Sequence, residues 1–282
     1  MTYFPTSELN APLTAAQLDS YLERIGVSRP ARTDYTALAA IHRAHLLAFT
    51  WEALDAFMGW PSSIVPQDAF HKMVEGSRGG WCYEMNGLLG AALSALGFRV
   101  TRLCSGVNRE TLGDIAVGNH LSLRVDLDQP YIAEVGLADA IFEPVPMKVG
   151  PFEQRGFEFS ISATEDGWLR FHNQSLGLAP SFDFQPHKVD EAAIAAAHHW
   201  LTEAPASPFA GTLALFRHTP EGYIALQNDC LRRIEQGSVV ETRITNVDQL
   251  ADTLTEIFKI DVPLPCEVWD KVSSTVAQGE AA

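Results

Sequence analysis

The nine-residue stretch Arg78-Gly79-Gly80-Trp81-Cys82-Tyr83-Glu84-Met85-Asn86 constrains this chain more than any other. Two adjacent glycines interrupt regular structure, and Met85, Leu89, Ala92 and Leu96 then follow at helical intervals. The pattern predicts a turn, then an apolar helix that opens at Cys82 and stops at Gly97, a good left-handed terminator. The unpaired N–H groups and positive dipole end of a helix favour a thiolate over a thiol. A cysteine in that place is a candidate nucleophile, whereas Cys104, Cys230 and Cys266 have no comparable setting and read as core or incidental residues.

With 282 residues, 46% of them hydrophobic, the chain should build two or three subdomains with buried cores. Its net charge of −15 argues against nucleic acid as a partner, because phosphate backbones need a basic surface. The first ten residues lack a basic flank followed by an apolar run, and no uncharged apolar stretch is long enough to span a bilayer. No membrane association is expected. The four cysteines are far apart and form no C-x-x-C pair, which fits free thiols in a cytoplasmic protein better than a disulfide or zinc framework.

Three sections follow from the periodicity. Residues 1–98 read as a helical bundle carrying the cysteine: Thr14 to Gln17 has capping-box form before a stripe of Leu18, Tyr21, Leu22 and Ile25 that ends near Gly26. Asp34 can cap a second helix with Leu38, Ile41 and His45 on one side, and Phe70, Met73 and Val74 mark a short third one. Residues 99–186 are β-rich, with runs at 99–103, 120–125, 131–135 and 157–161 between glycines. Residues 187–282 mix a helix opened by Asp190, strands at 212–216 and 223–227, a hairpin around Gln236-Gly237 and a closing helix capped by Asn246. The fold class is α+β.

A cysteine nucleophile needs a base, and the base needs a third group to orient it. In the run His120 to Val125 the apolar residues alternate, which puts His120 at a strand start on the polar side. If the next turn folds about Leu127, His120 lies directly opposite Glu134. The competing register turns through Gln129-Pro130 and brings Asp139 opposite His120; a proline disfavoured at that turn position makes Glu134 the preferred partner.

These residues resemble the arylamine N-acetyltransferase family. The resemblance runs through most of the first 140 residues: Ala44-His45-Leu46, the segment from Phe49 to Asp55, the stretch from Arg78 to Asn86, Leu96-Gly97-Phe98, Asn119-His120 and Glu134-Val135-Gly136. The family's R-G-G-x-C-[FY]-E-x-N signature is matched throughout. The resemblance implies a helical bundle, a β-barrel-like domain and an α/β lid, with a cysteine-protease-like (transglutaminase-like) core. It also implies a triad of Cys82 as nucleophile, His120 as base and the acid at 134. Two positions depart from the family pattern. The acid is usually an aspartate in D-V-G-F-G, where this chain has Glu134 to Ala138; and Thr50-Trp51-Glu52-Ala53 stands where P-F-E-N is common, so Ala53 lacks an amide.

The implied chemistry is acetyl transfer from acetyl-CoA to an arylamine or hydrazine by a ping-pong route through an acetyl-cysteine. The alternatives are a thiol-dependent amide synthase or hydrolase using another acyl donor, or a non-catalytic binder of CoA or an aromatic ligand. Ser105-Gly106-Val107, just after a strand, can offer N–H groups to a pantetheine or diphosphate beside Arg102 and Arg109, or it is an ordinary turn. Phe49, Trp51 and Tyr83 are candidate walls of an acceptor pocket, or core. Arg78 and Glu84 read as a network holding the turn. His42 and His45 lack a third ligand and read as packing, and the adjacent His198 and His199 point apart on a helix, so no metal site is expected.

Overall fold

A computed structural model describes residues 6–235 and 238–280. The first helices begin where their caps place them. After α1 (Thr6–Leu9), α2 (Ala15–Ile25) starts on a complete capping box at Thr14 and ends at Gly26, whose φ of 71° only glycine adopts freely. Asp34 accepts the Ala37 N–H to open α3 (Tyr35–Ala48). A two-residue strand, β1 (Trp51–Glu52), then leads to α4 (Leu54–Met58) and α5 (Pro66–Phe70). The short third helix expected from sequence is split: α5 passes directly into a π-helical turn, His71–Glu75. Helix α6 (Cys82–Ala95) is mostly apolar, and its residues from Cys82 to Leu93 are buried, Glu84 and Asn86 among them.

Beyond Gly97 the chain builds an antiparallel eight-stranded sheet that curls into a half-barrel. Strand β2 (Arg99–Val107) is longer than the sequence suggested. A short α7 (Arg109–Leu112) precedes β3 (His120–Asp126) and β4 (Pro130–Ala133). There follow β5 (Val145–Pro146), β6 (Gly150–Gln154), β7 (Phe157–Ala163), β8 (Leu169–His172) and β9 (Ser181–Phe184). The spatial order is β5-β4-β3-β2-β9-β8-β7-β6, so the outer end of β2 leaves β3 and pairs with β9. Helix α8 (Glu191–Glu203), capped by Asp190, crosses to a second sheet.

That sheet contains β10 (Ala214–His218), β11 (Gly222–Gln227), β12 (Cys230–Glu235) and β13 (Ser238–Arg243), with β1 added at its edge. Glu235 pairs with Ser238; the hairpin tip expected at Gln236-Gly237 lies outside the described residues. The helix capped by Asn246, α9 (Val247–Asp252), does not close the fold as expected: it runs into a π-helical turn at Thr253–Ile257 and is followed by α10 (Pro265–Glu280). Among the described residues no helix is long and apolar enough to cross a membrane.

Two apolar clusters meet at β10. Ala214 and Phe216 face the large core shared by α2, α3, α6 and the half-barrel, while Leu213 and Leu215 face a smaller core with Leu54, Phe57, Leu254 and Phe258. The alternation of a strand makes one element serve both.

The glycine turn is locked to β1. Gly80 donates to the Thr50 carbonyl at 3.2 Å and its own carbonyl accepts from Glu52 at 3.0 Å. A Cβ on Gly79 would stand 2.0 Å from the Thr50 oxygen, so backbone would have to move. Gly79→Ala is therefore expected to cost about 3 kcal/mol through forced displacement of a packed turn, read as a lowered midpoint in denaturant unfolding.

Candidate active site

Cys82 occupies the first position of α6 and is 7% exposed. Glu84, one turn in, accepts the Trp81 N–H at 3.2 Å and so closes the helix start with a carboxylate, as an N-terminus favours. Gly136 faces the cysteine from the other side. A Cβ there would lie 2.4 Å from Asn86 Nδ2 and 2.8 Å from the Cys82 Cα, which leaves glycine as the residue that fits.

His120 is buried at the start of β3, tilted against Phe182 with ring centroids 5.1 Å apart. Its Nε2 lies 3.0 Å from Glu134 Oε2, and the Cys82 side chain is among the neighbours that favour the charged ring. Burial by itself opposes an imidazolium, but the Glu134 carboxylate and the hydrogen bonds to Cys82 and Glu134 outweigh it and raise His120 to about 10. Cys82, His120 and Glu134 thus converge from α6, β3 and the segment after β4.

The hairpin that brings them together differs from the expected one. It folds about Asp128, with Asp126 paired to Pro130 and Leu123 to Ala133. Continued, that register sets Glu134 across from Ser122, two residues along from His120. A shift of two keeps a residue on the same face, so Glu134 still reaches the imidazole, although not from directly opposite. Pro130 is the first paired residue of its strand, a place proline tolerates, and is not inside the turn. Asp139 is elsewhere, accepting from Asn173 Nδ2 and the Leu178 N–H at 2.7 Å each.

The extra methylene of Glu134 has a clear use. While Oε2 faces His120, Oε1 curls back onto the chain and accepts from the Gly136 N–H at 2.6 Å, the Leu137 N–H at 2.8 Å and Asn86 Nδ2 at 2.8 Å. Asn86 also donates to the Leu121 carbonyl at 2.6 Å and accepts the Val135 N–H at 3.0 Å. The asparagine four residues after the cysteine therefore ties α6 to the histidine strand and to the segment after β4 that carries the acid.

Behind the helix start lies a buried network of Glu52, Asp55, Lys72, Arg78 and Glu84. Lys72 Nζ contacts Asp55 Oδ2 at 2.6 Å and both Glu84 oxygens at 2.9 Å. Arg78 bonds Glu52 and Asp55, not Glu84. Burial, opposed by Lys72 but reinforced by Asp55 and Glu52, raises Glu84 to about 7. Glu52 also accepts the Leu54 N–H at 2.9 Å, serving α4 at the point where its N-cap, Ala53, offers no side-chain acceptor.

Other expected residues take different places. Ser105, Gly106 and Val107 lie within β2, not in a turn after it, and their polar groups are engaged. Ser105 bonds Ser122, the Val107 N–H goes to Asn119 Oδ1 at 2.7 Å, and Gly106 and Val107 pair with β9. Arg102 is held by Glu191, and Arg109 by Asp114, Asp166 and Asp183, so neither is a free cation for a diphosphate. Phe49 is core: its ring neighbours are Tyr21 and His45, with Arg24 over its face. Tyr83 is fully buried and donates to the Gly118 carbonyl at 2.9 Å. Trp51 donates from Nε1 to the Gly136 carbonyl at 2.7 Å, which places its indole beside the glycine that abuts Cys82.

The N-acetyltransferase family model matches residues 34–266. The chain belongs to the N-acetyltransferase family. It is an acyltransferase of α+β fold with a cysteine-protease-like core. An arylamine N-acetyltransferase of Mycolicibacterium smegmatis is 28% identical over 256 residues, spanning 88% of this chain and 93% of the relative. One from Escherichia coli K12 is 26% identical over 250 residues, 87% and 89% of the two chains. A solved M. smegmatis arylamine N-acetyltransferase structure superposes with a TM-score of 0.82 at 28% identity, covering 91% of this chain and 97% of that one.

In this N-acetyltransferase, sequence reading missed His42, Lys72 and Asp55. Lys72 is a lone lysine in a short helical stretch, and its partners are separated from it by 12 to 20 residues in the chain, beyond any local pattern. Lys72→Met would leave three buried carboxylates facing Arg78 alone, so a loss of about 3–5 kcal/mol is expected, measured by urea unfolding at neutral pH.

Proposed function

We propose that the protein transfers an acetyl group from acetyl-CoA to an arylamine or hydrazine nitrogen, with Cys82 as nucleophile, His120 as base and Glu134 as orienting acid. The observation that carries this reading is the buried His120 imidazole with a carboxylate 3.0 Å from its Nε2 and the Cys82 side chain among the groups that favour its charged form, in a chain of the N-acetyltransferase family.

In the first half-reaction the Cys82 thiol gives its proton to His120, and Sγ attacks the thioester carbonyl. The C–S bond to CoA breaks, the CoA sulfur leaves with the proton from the imidazolium, and an acetyl-cysteine remains. In the second, the amine nitrogen attacks that acetyl carbonyl and His120 takes the amine proton. The bond to Sγ breaks, returning the thiol and releasing the amide. Glu134 holds the ring through both steps without itself giving up or taking a proton. Trp51, whose indole lies beside Gly136, is the aromatic group we assign to the acceptor side, and the four cysteines, all unpaired, suit a reducing cytoplasmic setting.

Incubation with acetyl-CoA in the absence of an amine should add the mass of one acetyl group to the Cys82 peptide. Addition of an arylamine should remove it. A Cys82→Ala protein that transfers acetyl groups at the parent rate would sink the mechanism, and an unlabelled wild type would point to another acyl donor.

Glu134→Gln places an amide NH2 against either His120 or the three donors now satisfied by Oε1. With the fold retained, kcat/KM for acetyl transfer is expected to fall about 10²- to 10⁴-fold, checked by steady-state kinetics beside a circular-dichroism melt.

A further inference from the structure

Strand β4 ends at Ala133, one residue before the acid, so the Glu134 peptide leaves the ladder just where its side chain must be aimed. What receives it is His42, on α3 and wholly buried. His42 Nδ1 is 3.0 Å from the Phe142 carbonyl, and Nε2 is 3.1 Å from both the N and the O of Glu134. A carbonyl oxygen only accepts, so Nδ1 carries the hydrogen in that contact. A neutral ring then has a bare Nε2, whose one compatible partner of the two is the Glu134 N–H.

The surroundings keep the ring in that form. The ionisable groups facing it are the Glu134 and Glu143 carboxylates, His45 one turn along α3, and His218 on β10, whose Nδ1 is 3.0 Å from an Arg155 guanidinium nitrogen. Burial outweighs the carboxylates and the backbone contacts and brings His42 down to about 4. Protonation would turn Nε2 into a donor, which repels the Glu134 N–H and favours its carbonyl instead, rotating the peptide that the carboxylate hangs from.

We propose that His42 is a positioning residue for acyl transfer: anchored on the Phe142 carbonyl, its Nε2 grips the Glu134 N–H and thereby aims the glutamate carboxylate at His120. It touches no substrate and acts only through Glu134, so the inference rests on the Cys82–His120–Glu134 reading.

Three substitutions separate aiming from filling. The amide oxygen of His42→Gln can take the place of Nε2 as acceptor. His42→Asn can still donate to Phe142 but reaches nothing at Glu134, and His42→Leu only fills space. The readouts are the pH profile of Cys82 alkylation by iodoacetamide, kcat and KM for acetyl transfer, and the melting temperature. With the carboxylate no longer held on His120, the imidazolium beside the thiol is less favoured. In His42→Asn and His42→Leu the alkylation profile is expected to move to higher pH, and kcat to fall by about tenfold or more with KM little changed. His42→Gln should keep the parent profile.

Wild-type profile and kcat in His42→Asn, even with a lowered melting temperature, would overturn the inference, because a packing role moves stability alone. If neither the Asn nor the Leu variant folds, His42→Gln decides: a parent profile supports the grip and a displaced one overturns it. A wild type whose Cys82 alkylation is indifferent to His120→Ala would instead overturn the triad reading, and this inference with it.

Discussion

The structure depends on how closely three backbones approach the first turn of α6. Thr50 to Glu52 lies against Gly79 and Gly80 on one side, and Gly136 lies against the Cys82 Cα on the other. Each approach needs the absence of a side chain, and each is closed by hydrogen bonds that leave little freedom: Gly80 with Thr50 and Glu52, and Trp51 Nε1 with the Gly136 carbonyl. The cysteine is thereby fixed relative to the histidine strand and the acid loop before any charge is considered. Interiors packed at crystal-like density transmit such contacts without slack.

Charge is then arranged on both sides of that turn by the same rule. On the His120 side one carboxylate, Glu134, is satisfied by Asn86, two backbone N–H groups and His120. On the far side three carboxylates share one ammonium and one guanidinium. Buried ions persist only where partners meet them nearly atom for atom, and here both sets of partners also tie separate elements together. The electrostatics and the architecture are hard to alter independently.

What the sequence made legible was local. Thr14, Asp34, Asp190 and Asn246 start helices where a capping residue says they should, because a cap acts within one turn. The places of Cys82 at a helix start and His120 at a strand start were readable for the same reason, each marked by its immediate neighbours. The hairpin was read two residues out of register because its turn was centred on Leu127, whereas the chain turns about Asp128 and Pro130 is the first paired residue of β4. The extent of β2 was missed because its last residues pair with β9, far along the chain, and no periodicity announces a distant partner. His42 read as packing since its partners are peptide groups, which carry no signature in a side-chain alphabet.

Strand β10 has a consequence for how this chain can vary. Its successive residues belong to different cores, Ala214 and Phe216 to one and Leu215, with Leu213 just before the strand, to the other, and its edge partner is the β1 segment that abuts the glycine turn. Adding or deleting one residue within the strand would exchange the two sets of side chains and slide Trp51 and Glu52 out of register together. Length changes are thus excluded at β10. Divergence in this part of the chain must proceed by substitution, not by insertion.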